Sequence, residues 1–219
     1  VARKLSASSL GVPAAARDII ITTGSQQALD LLARALIDPG DRFLVDSATY
    51  TGALNLLAIA EAQVVAVPSD DEGPDLASLE RLARSGAKGL YLMPNCHNPT
   101  GRSISEARRH ALVRWSHSAG VPLIEDDYGA DLELDDDTPL PHLRALDQNV
   151  LYLSTFSKKL IPALRIGFIV CPEPLRESLA ALKHAMDLGT SPLLQYALAE
   201  MLERGSLDAH YRTVLPEYR

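Results

Sequence analysis

Short apolar runs alternate with longer segments of helical periodicity along this chain, from residue 18 to about residue 154. Such alternation is typical of a mostly parallel β-sheet that is covered by helices on both faces. The predicted fold class is therefore α/β, with three layers (α/β/α) and a seven-stranded sheet. Strands are predicted over 18–22, 43–45, 64–67, 89–93, 121–124, 150–153 and 166–170, and helices over 25–36, 52–62, 76–87 and 104–119.

Serine residues mark several of the predicted helix starts. Ser25 and Ser105 suit the N-cap position, where a side-chain oxygen accepts a hydrogen bond from a backbone N–H group. Two helices are predicted after the last strand. The second begins at Ser191-Pro192, a cap followed by proline at the first helical position, and ends near Gly205.

Length and charge restrict the class of protein. With 219 residues, 47% of them hydrophobic, the chain can form one large domain with a substantial core. Its net charge of −7 argues against a general nucleic-acid-binding surface, and the acidic run 131–137 is predicted to be a solvated loop. No apolar run approaches the length of a membrane span, and no signal peptide opens the chain. Cys96 and Cys171 lie far apart without metal-ligand spacing, so we expect a reducing cytoplasm, no structural disulfide and no metal site.

A cationic loop rich in hydroxyl groups lies between the sixth and seventh predicted strands. Residues 154–165 contain three hydroxyl side chains, two lysines and an arginine, without an acidic residue. Such a loop is costly to bury unless an anion shares the site. Partial burial near other cations also favours the uncharged amine of a lysine, which can attack a carbonyl. We therefore infer a Schiff-base lysine beside a phosphate; the alternative is a basic surface loop.

Polar and aromatic residues also follow the other predicted strands. Ligands of open α/β sheets bind at the carboxyl ends of the strands, so these residues are candidates for one common site. A helix start favours a phosphate, and an arginine can bind a phosphate with two hydrogen bonds. An aromatic ring can stack on a flat ring, an asparagine can donate to a phenolate oxygen, and a buried carboxylate can pair with a protonated pyridine nitrogen. The candidates are Ser25, Gln26, Tyr50, Asn98, Asp126, Tyr128, Thr155, Ser157, Lys158 and Arg165.

Each candidate also has a simpler explanation when it is considered alone. Ser25 can be an ordinary helix cap, Tyr50 a half-buried packing residue, and Asn98-Pro99 a turn. His97 is expected to be a neighbour of the site rather than a catalyst. Five such positions in this order, each at the carboxyl end of a predicted strand, are hard to explain as caps and turns alone.

At these positions the chain resembles the pyridoxal-phosphate enzymes of fold type I, specifically the class I/II aminotransferases. The resemblance extends from about residue 12 to the end of the chain and implies pyridoxal 5'-phosphate as cofactor. It also implies that the seventh strand runs antiparallel to the others. The matching motifs are Thr23-Gly24-Ser25-Gln26-Gln27-Ala28-Leu29, Asn98-Pro99-Thr100-Gly101, Glu125-Asp126-Asp127-Tyr128, and Ser157-Lys158 with Pro162-Ala163-Leu164-Arg165-Ile166-Gly167.

The resemblance implies a role for each matching residue. The family pattern places the Schiff-base lysine immediately after the serine, so Lys158 is preferred to Lys159 as the residue that binds the cofactor and moves the proton. Asp126, the second catalytic residue, pairs with the pyridine nitrogen. The remaining implied contacts are with other parts of the cofactor. Asn98 and Tyr128 hydrogen-bond the oxygen on its ring, and Tyr50 stacks on the face of the ring. Its phosphate is held by Ser25, Gln26, Thr155, Ser157 and Arg165.

Two branches of the family fit these motifs. Asp126-Asp127-Tyr128 and Pro162-Ala163-Leu164-Arg165 are more similar to MocR-type regulators of the GntR family, in which an aminotransferase-like domain follows a winged-helix DNA-binding domain. Asn98-Pro99-Thr100-Gly101 favours the enzymes, because the regulators often lack that asparagine. The hypotheses are therefore amino-group transfer between an amino acid and a 2-oxo acid, or sensing of an effector. A cofactor-free scaffold is a third hypothesis. It is disfavoured because every candidate position already holds a residue that suits the cofactor.

The resemblance further implies a domain organisation and a homodimer. We expect residues 1–17 to be an N-terminal segment, 18–205 the cofactor-binding large domain, and 206–219 the start of a connection to a small C-terminal domain. The chain starts at Val1 and stops in an apparently helical segment, so we expect a piece of a longer protein. Its expected partners are an amino acid or 2-oxo acid and a second copy, with no membrane; DNA would bind only through a winged-helix domain outside this segment.

Overall fold

A seven-stranded sheet forms the centre of the computed structural model, which describes residues 1–7, 12, 14–129 and 140–218. In chain order its strands are β1 (Ile19–Thr22), β2 (Arg42–Asp46), β3 (Gln63–Val67), β6 (Leu90–Leu92), β7 (Leu123–Asp126), β8 (Leu151–Thr155) and β9 (Gly167–Val170). Two further strands, β4 (Ser69–Asp70) and β5 (Gly73–Pro74), form a separate antiparallel ribbon around the acidic residues Asp71 and Glu72.

The directions of the strands bring six carboxyl ends to one edge of the sheet. The strand order is β1-β9-β8-β7-β6-β2-β3, and the pairs from β8 to β3 are all parallel. β9 runs antiparallel to both of its neighbours, as the resemblance implied, so the predicted fold class is confirmed. Gly167, at the amino end of β9, consequently lies between the carboxyl ends Thr22 and Thr155, which are its partners in register.

Helices cover both faces of the sheet, because the side chains of each strand alternate between the two faces. In the described part of the chain the helices are α1 (Ala2–Ala7), α2 (Ser25–Leu36), α3 (Thr51–Ile59), α4 (Leu76–Ala83), α5 (Glu106–Ala119), α6 (Leu143–Leu146), α7 (Glu173–Asp187), α8 (Pro192–Glu203) and α9 (Ser206–Tyr218). Ile124 packs in the core beneath α2, α3 and α7, whereas its neighbour Leu123 packs in the core beneath α4 and α5. A third apolar cluster joins the β1–β9–β8 end of the sheet to α1, α8 and α9.

Several helix ends differ from the predictions. The N-cap of α2 is Gly24, not Ser25, so the N-cap residue of this helix makes no side-chain hydrogen bond. The helix predicted over 76–87 ends at Ala83, because Gly86 adopts a φ of 81°. Gly205 also takes a positive φ, and a third closing helix follows it where two were predicted.

Two other predictions concern single segments. Ser105 is the predicted N-cap of α5, and its hydroxyl oxygen accepts a hydrogen bond from the backbone N–H of Arg108 at 3.2 Å. The acidic loop predicted over 131–137 lies outside the described residues. No helix in the described part of the chain combines the length and the apolar character that crossing a membrane requires.

Candidate active site

The start of α2 packs directly against the start of β9 at the carboxyl edge of the sheet. A Cβ atom on Gly167 would lie 2.8 Å from the carbonyl carbon of Gly24 and 2.9 Å from the backbone nitrogen of Ser25, so only glycine fits there. Gly24 itself has a φ of 84°, which favours glycine. The first N–H groups of a helix have no partner within the helix, and Ser25 contributes one of them together with an unused hydroxyl. This helix start can therefore bind an anion.

Arg165 lies beside the same helix start. Its Nη2 donates to the carbonyl of Thr23 at 3.3 Å, and its Nη1 donates to Oγ of Ser157 at 3.4 Å. A Cβ on Gly24 would lie only 2.5 Å from Nη2 of Arg165, which shows how closely the guanidinium approaches the turn. Gly24, Ser25, Ser157 and Arg165 form a group of donors with one positive charge, which we call the anion cradle.

Thr155 holds Ser157 in the anion cradle. The Oγ1 of Thr155 is buried; it lies 3.1 Å from Oγ of Ser157, to which it can donate, and accepts from the backbone N–H of Ser157, also at 3.1 Å. Its hydroxyl is thus engaged within the loop. In the structure Thr155 fixes the serine that faces Arg165, and its predicted contact with a phosphate stays a prediction.

Asp126 is the last residue of β7. Its carboxylate is buried, and only one of its two oxygens accepts a hydrogen bond from a described residue. Tyr91 donates its hydroxyl to Oδ2 at 2.7 Å, while Oδ1 is buried and has no hydrogen-bond partner among the described residues. Burial raises the pKa of Asp126 to about 7, even though the Tyr91 hydrogen bond acts in the opposite direction. A buried carboxylate of this kind is incompletely satisfied until a donor or a cation joins it.

Tyr128 ties the end of β7 to the loop that carries Asn98. Its hydroxyl donates to the carbonyl of Cys96. His97 is buried and supports the same loop, with Nδ1 2.8 Å from Oγ1 of Thr100. Asn98 itself is exposed, and within the described ranges its side chain makes no hydrogen bond. Asn98 thus follows the carboxyl end of β6, and among the described residues no hydrogen bond of its side chain joins it to the other candidates.

Gln26 and Tyr50 connect the anion cradle with the Asp126 region. Gln26 Nε2 donates to the carbonyl of Gly52 at 3.1 Å, and the hydroxyl of Tyr50 donates to Oε1 of Gln26 at 3.4 Å. Tyr50 is half-buried and packs against the same core cluster that contains Tyr91. The side-chain amide of Gln26 holds the Tyr50 segment, and its predicted contact with a phosphate stays a prediction.

The two adjacent lysines differ sharply in exposure. Lys158 is exposed, and its side chain makes no hydrogen bond or ion pair with another described residue. Lys159 is buried, with Nζ 5.9 Å from the centre of the Phe156 ring. The sequence predicted a partly buried reactive lysine, whereas Lys158 is open to solvent. Of the two amines, Lys158 is the one that a ligand at this edge can reach.

Two residues that shape the site were not predicted. One is Tyr91, the partner of Asp126. The other is Arg109, which is fully buried in α5 and donates to the carbonyl of Pro94 at 2.8 Å and to Oδ1 of Asn95 at 2.7 Å. Each gave a signal in the sequence: a tyrosine inside an aliphatic strand, and an arginine within a packed helix. Buried polar groups of either kind need a partner.

A second network fixes β7 from the opposite face. Tyr152 donates its hydroxyl to Oδ2 of Asp127 at 3.1 Å, and His142 Nδ1 lies 3.0 Å from the same oxygen. Burial lowers the pKa of His142, but the carboxylates of Glu125 and Asp127, with oxygens 3.6 and 3.0 Å from Nδ1, outweigh that effect and raise the pKa to about 10. His142 is therefore a cation near neutral pH, and it compensates the charge of these two carboxylates.

Asp187 connects the start of α2 with the end of α7. Its carboxylate accepts hydrogen bonds from Gln27 Nε2 and Gly189 N–H, both at 2.9 Å, and from Lys183 Nζ at 2.6 Å. Burial raises the pKa of Asp187, but the hydrogen bonds from Lys183 and Gln27 prevail and lower it to about 2. This contact supports the turn that contains Gly24.

Comparison with known proteins identifies the family to which this fold belongs. Residues 1–214 match the family described as aminotransferase class I and II. The chain is 39% identical over 196 residues to the uncharacterized HTH-type transcriptional regulator YisV of Bacillus subtilis, covering 88% of this chain and 40% of the relative. It is 34% identical over 216 residues to aromatic-amino-acid aminotransferase 1 of Thermococcus litoralis, covering 95% of this chain and 52% of the relative.

A solved structure shows the same architecture. LysN, the α-aminoadipate aminotransferase of Thermus thermophilus, was crystallised with N-(5'-phosphopyridoxyl)-L-leucine. It superposes with a TM-score of 0.88 at 32% identity, over 98% of this chain and 57% of that chain. The chain belongs to the class I/II aminotransferase family, and it spans about half the length of the curated relatives it matches.

Proposed function

We propose that this chain is the pyridoxal-phosphate-binding domain of an aminotransferase, which transfers an amino group between an amino acid and a 2-oxo acid. The observation that carries the proposal is the unpaired Oδ1 of the buried Asp126, at the same sheet edge as the anion cradle. Family membership and the PLP-derived ligand in the LysN structure support it.

The described residues fit this cofactor in three independent ways. The anion cradle offers backbone N–H groups, two hydroxyls and a guanidinium to a phosphate. Oδ1 of Asp126 is a buried acceptor to which no described residue donates, which suits a protonated ring nitrogen. Lys158 offers an exposed amine to an aldehyde. A cofactor-free scaffold would have no use for a buried carboxylate in this state, because the group destabilises the fold when it is left incomplete.

Each residue then has a defined task. When it is bound, pyridoxal phosphate supplies an electron sink for the charge left on the substrate α-carbon after its proton is removed. Nζ of Lys158 would hold the cofactor through its aldehyde, with release of water, and, once the substrate amine has displaced it, would take the proton from the substrate α-carbon as general base. Asp126 would accept a hydrogen bond from the ring nitrogen and keep that nitrogen protonated. We assign the ring oxygen to Asn98 and Tyr128, the ring face to Tyr50, and the phosphate to Ser25, Gln26, Thr155, Ser157 and Arg165.

Borohydride trapping tests the lysine assignment. The purified protein is incubated with pyridoxal phosphate, reduced with borohydride, digested and mapped by mass spectrometry. We expect the label on Lys158, and its loss in Lys158→Met. The matched control is Lys159→Met, which keeps the apolar stem of the buried side chain and should keep the label. A label on Lys159, or a label that survives in Lys158→Met, would refute the assignment.

A second candidate function, effector sensing by a MocR-type regulator, is favoured by one observation. A relative at 39% identity is described as an HTH-type transcriptional regulator. The same Lys158 chemistry would then stop at a bound amino acid. Half-transamination with a panel of amino acids separates the two functions: release of a 2-oxo acid from one of them supports the enzyme, whereas binding without release supports the sensor.

The organisation of the whole protein is part of the same proposal. We propose residues 1–17 as an N-terminal segment, 18–205 as the cofactor-binding large domain and 206–219 as the start of a connection to a further small domain. A homodimer in the cytoplasm is proposed by analogy with the family. Size-exclusion chromatography with light scattering tests the dimer, and a monomer that still transfers amino groups would contradict it.

A further inference from the structure

Tyr91 forms a polar contact with Asp126 inside an otherwise apolar layer. Both residues are buried, and the core cluster around Tyr91 includes Phe43, Ile124 and Leu153. The hydroxyl of a buried tyrosine needs a partner, and here that partner is Oδ2 of Asp126 at 2.7 Å. The bond joins adjacent strands, since β6 and β7 are paired, so both ends are held by the sheet ladder.

We propose that Tyr91 is a positioning residue for Asp126: by occupying Oδ2 it leaves Oδ1 as the single oxygen that accepts from the cofactor. This inference rests on the proposed function. The structure supports it because the two oxygens differ, one bonded to Tyr91 and the other without a partner among the described residues. Without Tyr91, neither oxygen would have a side-chain donor among those residues, and the carboxyl could turn.

Tyr91 also favours the ionised form of Asp126. A hydroxyl that donates to a carboxylate stabilises the charged state, and burial acts against that state. Burial raises the pKa of Tyr91 well above 10, so its hydroxyl remains a donor over the whole working range of pH. The other titratable groups near the pair are Tyr50, Tyr128 and Asp127, none of which is a cation.

The protein offers a matched pair of variants for a test. Tyr91→Phe removes the hydroxyl that donates to Asp126, and Tyr152→Phe removes the hydroxyl that donates to Asp127, the next residue, from the strand on the other side of β7. Both variants delete one buried tyrosine hydroxyl beside a buried carboxylate. They differ in the face of β7 that they affect.

The first measurement uses the cofactor-free protein. The carboxyl band of Asp126 is followed by infrared spectroscopy across a pH titration and assigned by its absence in Asp126→Asn. We expect its midpoint to move up by about one to two pH units in Tyr91→Phe, because a hydrogen bond to a charged group is lost. In Tyr152→Phe the midpoint should stay where it is in the unmodified protein. An unmoved midpoint in Tyr91→Phe would overturn the proposal.

The second measurement is the affinity for pyridoxal phosphate as a function of pH. The ratio of the Kd of Tyr91→Phe to that of the unmodified protein should be about tenfold near neutral pH. It should fall as the pH rises past the new midpoint, where Asp126 is ionised in both proteins. A loss of affinity that is constant with pH would show general damage to the site and would refute the positioning role. If Tyr91→Phe does not fold, 3-fluorotyrosine at position 91 replaces it; its more acidic hydroxyl is a better donor and must lower the midpoint.

The two proposals fail in different ways. If the unmodified protein does not bind pyridoxal phosphate, the proposed function is wrong, whatever the infrared titration shows. If it binds the cofactor through Lys158 but Tyr91→Phe matches Tyr152→Phe in both measurements, the proposed function stands and the role of Tyr91 is refuted.

Discussion

Replacing Gly167 with alanine should force apart the two segments that form the anion cradle. The added Cβ would lie 2.8 Å from the carbonyl carbon of Gly24, 2.9 Å from the backbone nitrogen of Ser25 and 2.9 Å from the carbonyl oxygen of Ser154. All three are backbone atoms, so no change of rotamer relieves the contact. To reach the 3.4 Å of an ordinary contact, β9 and the start of α2 must separate by about 0.6 Å.

The size of the effect follows from two opposing contributions. Overpacking of this kind costs about 1–3 kcal/mol. Exchange of glycine for alanine returns about 0.5–1 kcal/mol, because the unfolded chain loses conformational freedom. We therefore expect the free energy of unfolding to fall by about 1–2 kcal/mol. Phosphate binding should weaken by at least about tenfold, since a displaced N–H group of Ser25 loses a hydrogen bond to a charged ligand.

Urea unfolding of the cofactor-free protein, followed by circular dichroism, measures the first effect, and titration with pyridoxal phosphate measures the second. The control is Gly129→Ala, where the new Cβ would lie 3.7 Å from Cβ of Cys96, an ordinary contact. The control should unfold at the same urea concentration as the unmodified protein or slightly higher. If Gly167→Ala is as stable as Gly129→Ala and binds the cofactor equally well, the close packing of β9 on α2 does not shape the site.

Two further predictions concern pH. The folded pKa of Asp187 lies near 2, below its ordinary value of 3.8, so its contribution of at most about 2 kcal/mol is present above pH 3.8 and lost as the pH falls toward 2. Asp187→Asn should therefore be less stable than the unmodified protein at neutral pH and approach it in acid; a gap in unfolding free energy that persists in acid would refute this. The folded pKa of His142 is raised from 6.5 to about 10, so its stabilisation is complete below pH 6.5 and lost as the pH rises toward 10. The gap in unfolding free energy between the unmodified protein and His142→Gln should shrink over that interval, and a constant gap would contradict the ion pair.

The sheet, and the edge of the sheet where the candidate residues lie, were predictable because both depend on strand direction rather than on detailed packing. Alternating strands and helices predict a parallel sheet, and a parallel sheet places its carboxyl ends on one edge. Asp126 and Thr155 end their strands there, as predicted. The antiparallel β9 adds its amino end to the same edge, which is why Arg165 and Gly167 reach a site otherwise built from carboxyl ends.

The details that were missed depend on packing between distant segments. Serine is a residue type that favours the N-cap position, so the sequence predicted Ser25 there. Gly24 takes that position instead, because Arg165 and Gly167 approach this turn so closely that it requires a residue without a side chain. Composition could not separate Lys158 from Lys159; the structure separates them by exposure, and the assignment of the Schiff base to Lys158 stays a prediction. The partnership of Tyr91 with Asp126 depends on strand pairing, which no local pattern specifies.

Two adjacent carboxylates at the end of β7, those of Asp126 and Asp127, differ in whether a charged side chain pairs with them. Asp126 and Asp127 are neighbours, both are buried, and both have an Oδ1 without a hydrogen-bond partner among the described residues. Burial raises the pKa of each, but the hydrogen bond and charge of His142 reverse the effect at Asp127 and lower its pKa, whereas the pKa of Asp126 stays raised, at about 7. The difference is a cation: His142 faces Asp127, and no described cation pairs with Asp126. In the proposed function a protonated ring nitrogen would supply the charge that Asp126 lacks, and its binding should lower the pKa of Asp126 as His142 lowers that of Asp127.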